Sequence, residues 1–359
     1  MSDEPTSGEP AAGGEPAKVD GLDLPALESY FAEHVPGFGG RLTAEVVAGG
    51  RSNLTYLLSD GRTRWVLRRP PLGGLTPSAH DMPREFRVVA ALSGTDVPVA
   101  RAVALGDPAV LGVPFTVVEY VDGLVIRALD ELHALPEEQI TRCAHGLVDV
   151  LARLHAIDPA EVGLAGFGRA EGYLARQVKR WHEQWQRVRT RELDDVDRLH
   201  ERLVALCPAE SGASIVHGDY RIDNTILDPA DPGTVRAVVD WEMATLGDPL
   251  ADLGLHLAYS HPAIALVLGG SAASSSPRLP GIDELTQRYA VASGRDLGDQ
   301  RFYLGLGYFK IAIIAEGIYS RFRQGATVGT GFELAGQAVE PLIAAGLATL
   351  TSTASQETA

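Results

Sequence analysis

Lysine is scarce in this 359-residue sequence. It stands only at Lys18, Lys179 and Lys310, so arginine carries nearly all the positive charge. Cysteine is scarcer still, with Cys143 and Cys207 far apart and in no metal-binding spacing. That excludes a disulfide framework and implies a reducing, cytoplasmic setting. Basic residues are too few to balance the acids, 31 against 47, which leaves a net charge of −16 and a pI near 5.0. An acidic chain argues against nucleic acid as a partner. The N-terminus lacks the basic-then-apolar order of a signal peptide. No apolar run reads as long enough to span a membrane, so no membrane partner is expected. Large apolar residues are almost missing from residues 1–20, where Asp3, Glu4, Glu9, Glu15 and Asp20 are set against Lys18 alone. Such a segment cannot bury enough surface to order itself, and a disordered tail is expected there.

What is present is a sizeable core and one dense stretch of chemistry. Hydrophobic residues make up 45% of the chain, enough for one large domain or two lobes. The dense stretch runs over 215–252. A short apolar lead-in, Ile215-Val216, gives way to His217-Gly218-Asp219, and Asn224 follows five residues after Asp219. Two β-rich runs, Thr225–Leu227 and Val235–Val239, flank a turn-rich Asp-Pro-Ala-Asp-Pro-Gly and stop at Asp240-Trp241-Glu242. Closing that hairpin brings Asn224 and Asp240 side by side. Phosphoryl transfer asks for a carboxylate that orients and deprotonates a hydroxyl, and for oxygen ligands that hold Mg²⁺ against phosphates. Asp219 fits the first role; Asn224 and Asp240 fit the second, since Mg²⁺ takes a few hard oxygens and keeps waters and phosphates for the rest.

His-Gly-Asp with Asn five residues on, then Asp-Trp-Glu, resembles the aminoglycoside phosphotransferase family. That family, with choline kinase-like relatives, is a branch of the protein-kinase-like fold, whose kinases carry H-R-D-x-x-x-x-N and D-F-G. The resemblance implies a two-lobed α/β structure, a small antiparallel-sheet N-lobe and a larger, mainly helical C-lobe. It implies ATP and Mg²⁺ as cofactors and a small-molecule hydroxyl acceptor. Within the catalytic loop, Arg221 is expected to steady the transferring phosphate, with a salt bridge to Asp223 or another acid as the bland alternative. His217 is expected to brace the loop.

The first lobe supplies the nucleotide-binding candidates. Val46-Val47, then Gly49-Gly50-Arg51-Ser52-Asn53, then Leu54–Leu58 reads as strand, small-residue turn, strand. Such a turn can cover phosphates with backbone N–H groups, although an ordinary hairpin reads the same way. Arg64–Arg69 reads as the next strand. Kinase-like folds place a lysine there; this chain offers Arg68 instead, with Arg69 on the opposite face by alternation. A guanidinium grips phosphate with a fork of donors. Pro83–Leu92 reads as a helix opened by proline, and the resemblance makes Glu85 the partner of Arg68. Phe115–Tyr120 is a strand. In the resembled family it leads into a hinge, where backbone groups of Glu119, Tyr120 and Val121 would hold the adenine edge.

Downstream, Leu24–His34 near the start, Pro136–Ile157, two helices within 171–206, Asp283–Ala292 and Gln300–Arg323 read as helices. Trp181 and Trp185 share a face and read as core. Asp248 and Asp252 read as structural carboxylates around a helix opened by Pro249. Gly269–Gly281 reads as a flexible loop. The expected organisation is a tail over 1–21, a nucleotide lobe over 22–118, a hinge over 119–123, a catalytic and substrate lobe over 124–350, and a tail over 351–359. The acceptors of the resembled family range from aminoglycosides and amino alcohols to sugars. The wording around Val66–Pro71 and the catalytic loop also resembles kinase domains fused to some acyl-CoA dehydrogenases, which act on hydroxyacyl-CoA. Two alternatives stay open: a nucleotide-binding module without turnover, because the strand lysine is missing, and a metal-dependent hydrolase using His217, Asp219, Asp240 and His256.

Overall fold

The structure, a computed structural model, describes residues 19–47, 53–72, 81–327 and 330–351. Gly49, Gly50, Arg51 and Ser52, and nearly all of both expected tails, lie outside the described residues. The chain falls into two compact units: residues up to Met82 with Val103–Val118, and Pro83–Ala102 with Glu119 onward.

The first unit is built on a sheet of β1 (Thr43–Val46), β2 (Leu54–Ser59), β3 (Arg64–Arg69), β4 (Ala102–Gly106) and β5 (Phe115–Glu119), in the order β1-β2-β3-β5-β4. β1, β2 and β3 pair antiparallel, with Thr55 opposite Arg68. β4 is an addition to the sequence reading: Ala-Val-Ala-Leu-Gly is too short and too small-chained to declare a period. Helix α1 (Leu24–His34) starts where Asp23 accepts the Ala26 amide at 3.0 Å and Pro25 fixes the first turn. It buries Leu27 and Phe31 against Tyr56, Leu58, Trp65 and Leu67.

Alternation along β3 sends Trp65, Leu67 and Arg69 inward, while Arg64, Val66 and Arg68 share the other face. Arg69 is thus opposite Arg68, as the sequence implied, yet it is buried rather than solvated. Its guanidinium donates to the Gly21 carbonyl, and the Tyr56 hydroxyl donates to Asp20 at 2.7 Å. Asp20 and Gly21, read as tail, are therefore tied to the sheet. Gly21 is needed there: its φ is +84°, and a Cβ would stand 2.7 Å from the Tyr56 oxygen.

A short α3 (Pro108–Leu111) belongs to the first unit, and the second unit is mainly helical: α2 (Met82–Leu92), α4 (Leu129–His133), α5 (Glu137–Ala156), α6 (Tyr173–Val188), α7 (Asp194–Ala205), α8 (Pro249–Ala258), α9 (Ile264–Val267), α10 (Ile282–Ser293), α11 (Gln300–Arg323) and α12 (Ala335–Thr351). The segment Pro83–Ala102, read from sequence as first-lobe, belongs to this unit. Arg84 donates to Ala244 O at 3.1 Å and stacks on Phe167, and Arg87 donates to Gly163 O at 3.0 Å. α11 is the central helix, packed by α6, α8 and α12. It approaches α8 so closely that a Cβ on Gly254 would meet the Tyr303 backbone at 2.5 Å.

α12 is a second element missed from the sequence; its Pro341 and small residues disguise the helical stripe. The segments Gln300–Arg323 and Phe332–Thr351 are long and apolar enough to cross a membrane by length and composition, contrary to the sequence reading. α11 nevertheless buries Glu316, which accepts from the Thr190 amide at 2.6 Å and its hydroxyl at 2.8 Å. The 269–281 loop, expected to be flexible, is anchored: Ala272, Ala273 and Ser276 are buried, and Arg278 donates to His133 O, Leu135 O and Glu137. Trp181 and Trp185 are core residues.

Candidate active site

Two short ladders hold the site in the second unit. β6 (Ser214–Val216) pairs with β9 (Thr245–Gly247), and β7 (Thr225–Leu227) pairs with β8 (Val235–Val238). The loop 217–224 leaves β6 and closes in a 3₁₀ turn at Ile222–Asn224. Thr225 lies opposite Val238, and the Val239 amide donates to Asn224 O at 2.9 Å. Asn224 and Asp240 therefore meet at one end of the hairpin, as the spacing implied.

The loop is pinned from below. The His217 and Gly218 amides donate to the two oxygens of Asp252, at 2.7 and 2.9 Å. His217 is fully buried; its Nδ1 accepts from the Asp219 amide and its Nε2 donates to Val239 O at 3.0 Å, which fixes a neutral tautomer. Lys310 donates to Gly218 O at 2.6 Å. Burial lowers the Lys310 pKa, and the nearby Asp219 and Asp252 work against that. His155 is buried and bridges Asp252 at 3.3 Å and the Tyr289 hydroxyl at 2.7 Å. Asp248 caps α8 through the Leu250 amide, whereas Asp252 holds the loop rather than the helix end.

Burial would raise the Asp252 pKa, but the bond to His155 and the Gly218 amide outweigh it and hold the carboxyl down to about 2. A carboxyl depressed on folding stabilises above its unfolded value of about 3.9 and loses that contribution as pH falls through the folded value. Asp252→Ala is therefore expected to cost about 1–3 kcal/mol, the range for leaving buried donors without their acceptor. Denaturant melts at pH 7 measure it, and the difference from wild type should shrink as pH falls from about 4 toward 2. An unchanged melt at pH 7 would remove Asp252 as the anchor.

Asp219 stands above this base with its side chain 24% exposed. Its Oδ2 accepts from Asn224 Nδ2 at 3.1 Å and Arg221 Nε at 3.3 Å, and its Oδ1 accepts from the Tyr259 hydroxyl. Asn224 Nδ2 also donates to Asp219 O at 2.9 Å. Both bonds demand the amide nitrogen, so the Asn224 oxygen is turned away from Asp219. Asp240 takes φ +67°, the only positive φ outside glycine among the described residues. Its side chain does not cap the turn that follows. An amide oxygen and a carboxylate brought to one hairpin end suit Mg²⁺.

Arg221 lies against two carboxylates of the loop. Its Nη1 lies 2.9 Å from Asp223 Oδ2, off-angle for a hydrogen bond, and its side chain is only 15% exposed. Burial opposes its charge, but Asp219 and Asp223 outweigh that and raise its pKa. It braces two carboxylates, Asp219 and Asp223. The hydrolase arrangement is also not assembled: both nitrogens of His217 are occupied, and His256 Nδ1 bonds Tyr220 O at 3.1 Å.

The nucleotide candidates fall on both units. Asn53 is buried just before β2, and Arg68 faces away from the first unit's core. Glu85 is buried on α2 in the second unit. The Glu119 amide donates to Arg101 O at 2.9 Å and its carboxylate pairs with Arg101, so that amide is not available to a base. Tyr120 and Val121 follow, partly exposed. Tyr259 and Lys310 were not singled out as loop partners from the sequence. A signal for Tyr259 existed: Asp252, His256 and Tyr259 are spaced i, i+4, i+7, on one helix face aimed at the loop.

A small sheet unit, a helical unit, and a loop carboxylate beside a hairpin-end Asn/Asp pair define a two-lobed protein-kinase-like phosphotransferase. Residues 43–285 match the profile of APH, the phosphotransferase enzyme family. The chain belongs to that family, whose members are phosphotransferases with an alcohol group as acceptor. It is 34% identical over 336 residues to acyl-CoA dehydrogenase family member 11 of Pongo abelii, covering 91% of this chain and 43% of that protein. It is 30% identical to the probable acyl-CoA dehydrogenase IBR3 of Arabidopsis thaliana, covering 85% and 40%. The chain thus spans less than half the length of these curated relatives. A crystal structure of a candidate aminoglycoside phosphotransferase from Ralstonia eutropha superposes with TM-score 0.80 at 34% identity, covering 92% of this chain and 98% of that one. The aminoglycoside phosphotransferase APH(4)-Ia, in complex with AMP-PNP and hygromycin B, gives TM-score 0.60 at 17% identity, covering 91% and 99%, a likeness of fold alone.

Proposed function

We propose that this chain is an ATP- and Mg²⁺-dependent kinase that phosphorylates the hydroxyl of a small molecule. The observation that carries the reading is the junction of Asp219, Asn224 and Asp240 on one braced loop and hairpin. When bound, Mg²⁺-ATP supplies the phosphoryl group and the charge neutralisation that its transfer needs. Asn224 and Asp240 would hold the metal. Asp219 would receive the acceptor's proton, and Arg221 would keep that carboxylate in place. Catalysis on this account is positioning and electrostatics. Such a chain suits a reducing, cytoplasmic setting and a small-molecule partner.

Among acceptors, a hydroxyacyl-CoA is favoured, because the curated relatives named above carry acyl-CoA dehydrogenase names. The test is an ATP-consumption screen with Mg²⁺ over hydroxyacyl-CoAs, aminoglycosides, amino alcohols and sugars. Turnover confined to the hydroxyacyl-CoA pool is expected. Turnover with aminoglycosides alone would overturn the acceptor. Tight Mg²⁺-ATP binding with no turnover in any pool would favour the non-catalytic module.

Arg68 is proposed as the phosphate cation that replaces the strand lysine. Arg68→Ala should weaken ATP binding about tenfold, ~1.4 kcal/mol, with little effect on melting. Arg69→Ala should instead destabilise by about 1.5–3 kcal/mol, because buried carbonyls lose a charged donor. Nucleotide titration and thermal melts separate the two. A weakened ATP affinity in the folded Arg69 variant alone would assign the role to the wrong face.

A further inference from the structure

Asp219 has two carboxylate oxygens, and the protein treats them differently. Oδ2 is held by two donors, Asn224 Nδ2 at 3.1 Å and Arg221 Nε at 3.3 Å. Oδ1 is held by one, the hydroxyl of Tyr259. A carboxylate offers about two accepting directions on each oxygen. Oδ2 is therefore filled by the protein, while Oδ1 keeps one direction open.

Tyr259 is built to stay where it is. It is 7% exposed, it ends α8, and its amide donates to His256 O at 3.3 Å. The Arg221 guanidinium lies 5.5 Å from its ring centroid, so the same arginine braces both the phenol and the carboxylate. The Tyr259 pKa is raised well above 10, by burial first and then by the charge of Asp219. The phenol thus remains a donor.

We infer that Tyr259 is a positioning residue for phosphoryl transfer: its hydroxyl fixes the rotation of the Asp219 carboxylate and leaves one accepting direction of Oδ1 as the proton-receiving position. The inference rests on the phosphotransferase reading of Asp219. In the step it serves, the acceptor oxygen bonds to the γ-phosphorus while the bond from that phosphorus to the bridging oxygen of ADP breaks. The acceptor's proton passes to Asp219 Oδ1, and the electron pair of the broken bond stays on ADP. Tyr259 neither gains nor loses a proton. Its effect is geometric, since a carboxylate free to turn about its terminal bond would present Oδ1 correctly only part of the time.

Tyr259→Phe removes the hydroxyl and keeps the ring beneath Arg221. The full chain is assayed with Mg²⁺-ATP as the probe and water as acceptor, by phosphate release, beside Asp219→Asn. Expected for Tyr259→Phe is a fall in kcat of about tenfold or more, with the KM for Mg²⁺-ATP nearly unchanged and a modest fall in melting temperature from the lost hydrogen bond. A purely structural tyrosine would lower melting and leave kcat unchanged. A melting-temperature cycle over Tyr259→Phe, Asp219→Asn and the double variant reads the contact without activity: the double loss should differ from the sum of the single losses. Wild-type kcat in Tyr259→Phe while Asp219→Asn is inactive overturns the positioning role alone. A faster Tyr259→Phe also overturns it, by marking the phenol as an obstruction in the acceptor's place. Full activity in Asp219→Asn overturns the phosphotransferase reading of the site, and the Tyr259 inference with it.

Discussion

Asp219→Asn is expected to lower turnover by at least ~10²-fold, the scale of a lost general base, while ATP affinity stays close to wild type. The asparagine keeps the size of the side chain but has one accepting oxygen instead of two. In the native loop Oδ2 faces two donors, Asn224 Nδ2 and Arg221 Nε, and Oδ1 faces the Tyr259 hydroxyl. The amide would turn its oxygen toward the two donors, which leaves its NH₂ on the side where the acceptor's proton should arrive. A group with no free acceptor there cannot take that proton. The nucleotide should bind regardless, because the proposed metal ligands Asn224 and Asp240 are unchanged. Initial rates and nucleotide titration decide the point. A variant that keeps half of wild-type turnover would remove Asp219 from the mechanism.

The parts of this site legible in the sequence are those whose partners lie close in the chain. Asp219 and Asn224 share one loop, and the hairpin that brings Asp240 to Asn224 is announced by its turn residues between two β-rich runs. α1 and α11 have the residue ranges read from the sequence, because capping acids and apolar runs mark them locally. The missed parts depend on distant partners. Lys310 reads as one cation in an apolar helix; only the packing of α11 shows it donating to Gly218 O, 92 residues away. Arg69 reads only as the residue on the face opposite Arg68, and the return of Gly21 to the sheet is what gives its guanidinium an acceptor. Arg221 sat between two readings because a guanidinium near carboxylates can serve phosphate or salt bridge equally well; the fold sets it against Asp219 and Asp223. α12 escaped because alanine and glycine fill its packed face, which blurs the apolar stripe that periodicity needs.

Three substitutions at Asp240 should separate its charge from its backbone. Its φ of +67° is unusual outside glycine, and aspartate, asparagine and glycine tolerate it better than alanine. The residue follows β8 and precedes a tight turn in which the Trp241 indole donates to Val238 O at 3.0 Å and the Ala244 amide donates to Trp241 O at 3.0 Å. These bonds aim the carboxylate and do not depend on its charge. Asp240→Asn keeps the backbone preference and removes the charge; Asp240→Gly relaxes the backbone and removes the ligand. Both should melt near the wild type. Asp240→Ala should melt lower, by the roughly 1–2 kcal/mol that a left-handed conformation costs an ordinary residue. For nucleotide the order is different. All three should lose the strengthening of ATP binding by Mg²⁺, by ~10²-fold or more, beyond the range seen when only an outer partner of a metal ligand is lost. ATP titrations with and without Mg²⁺, beside thermal melts, give both orders at once. If Mg²⁺ strengthens ATP binding equally in the glycine variant and the wild type, the metal is held elsewhere, and Asp240 is kept only for the shape of its turn.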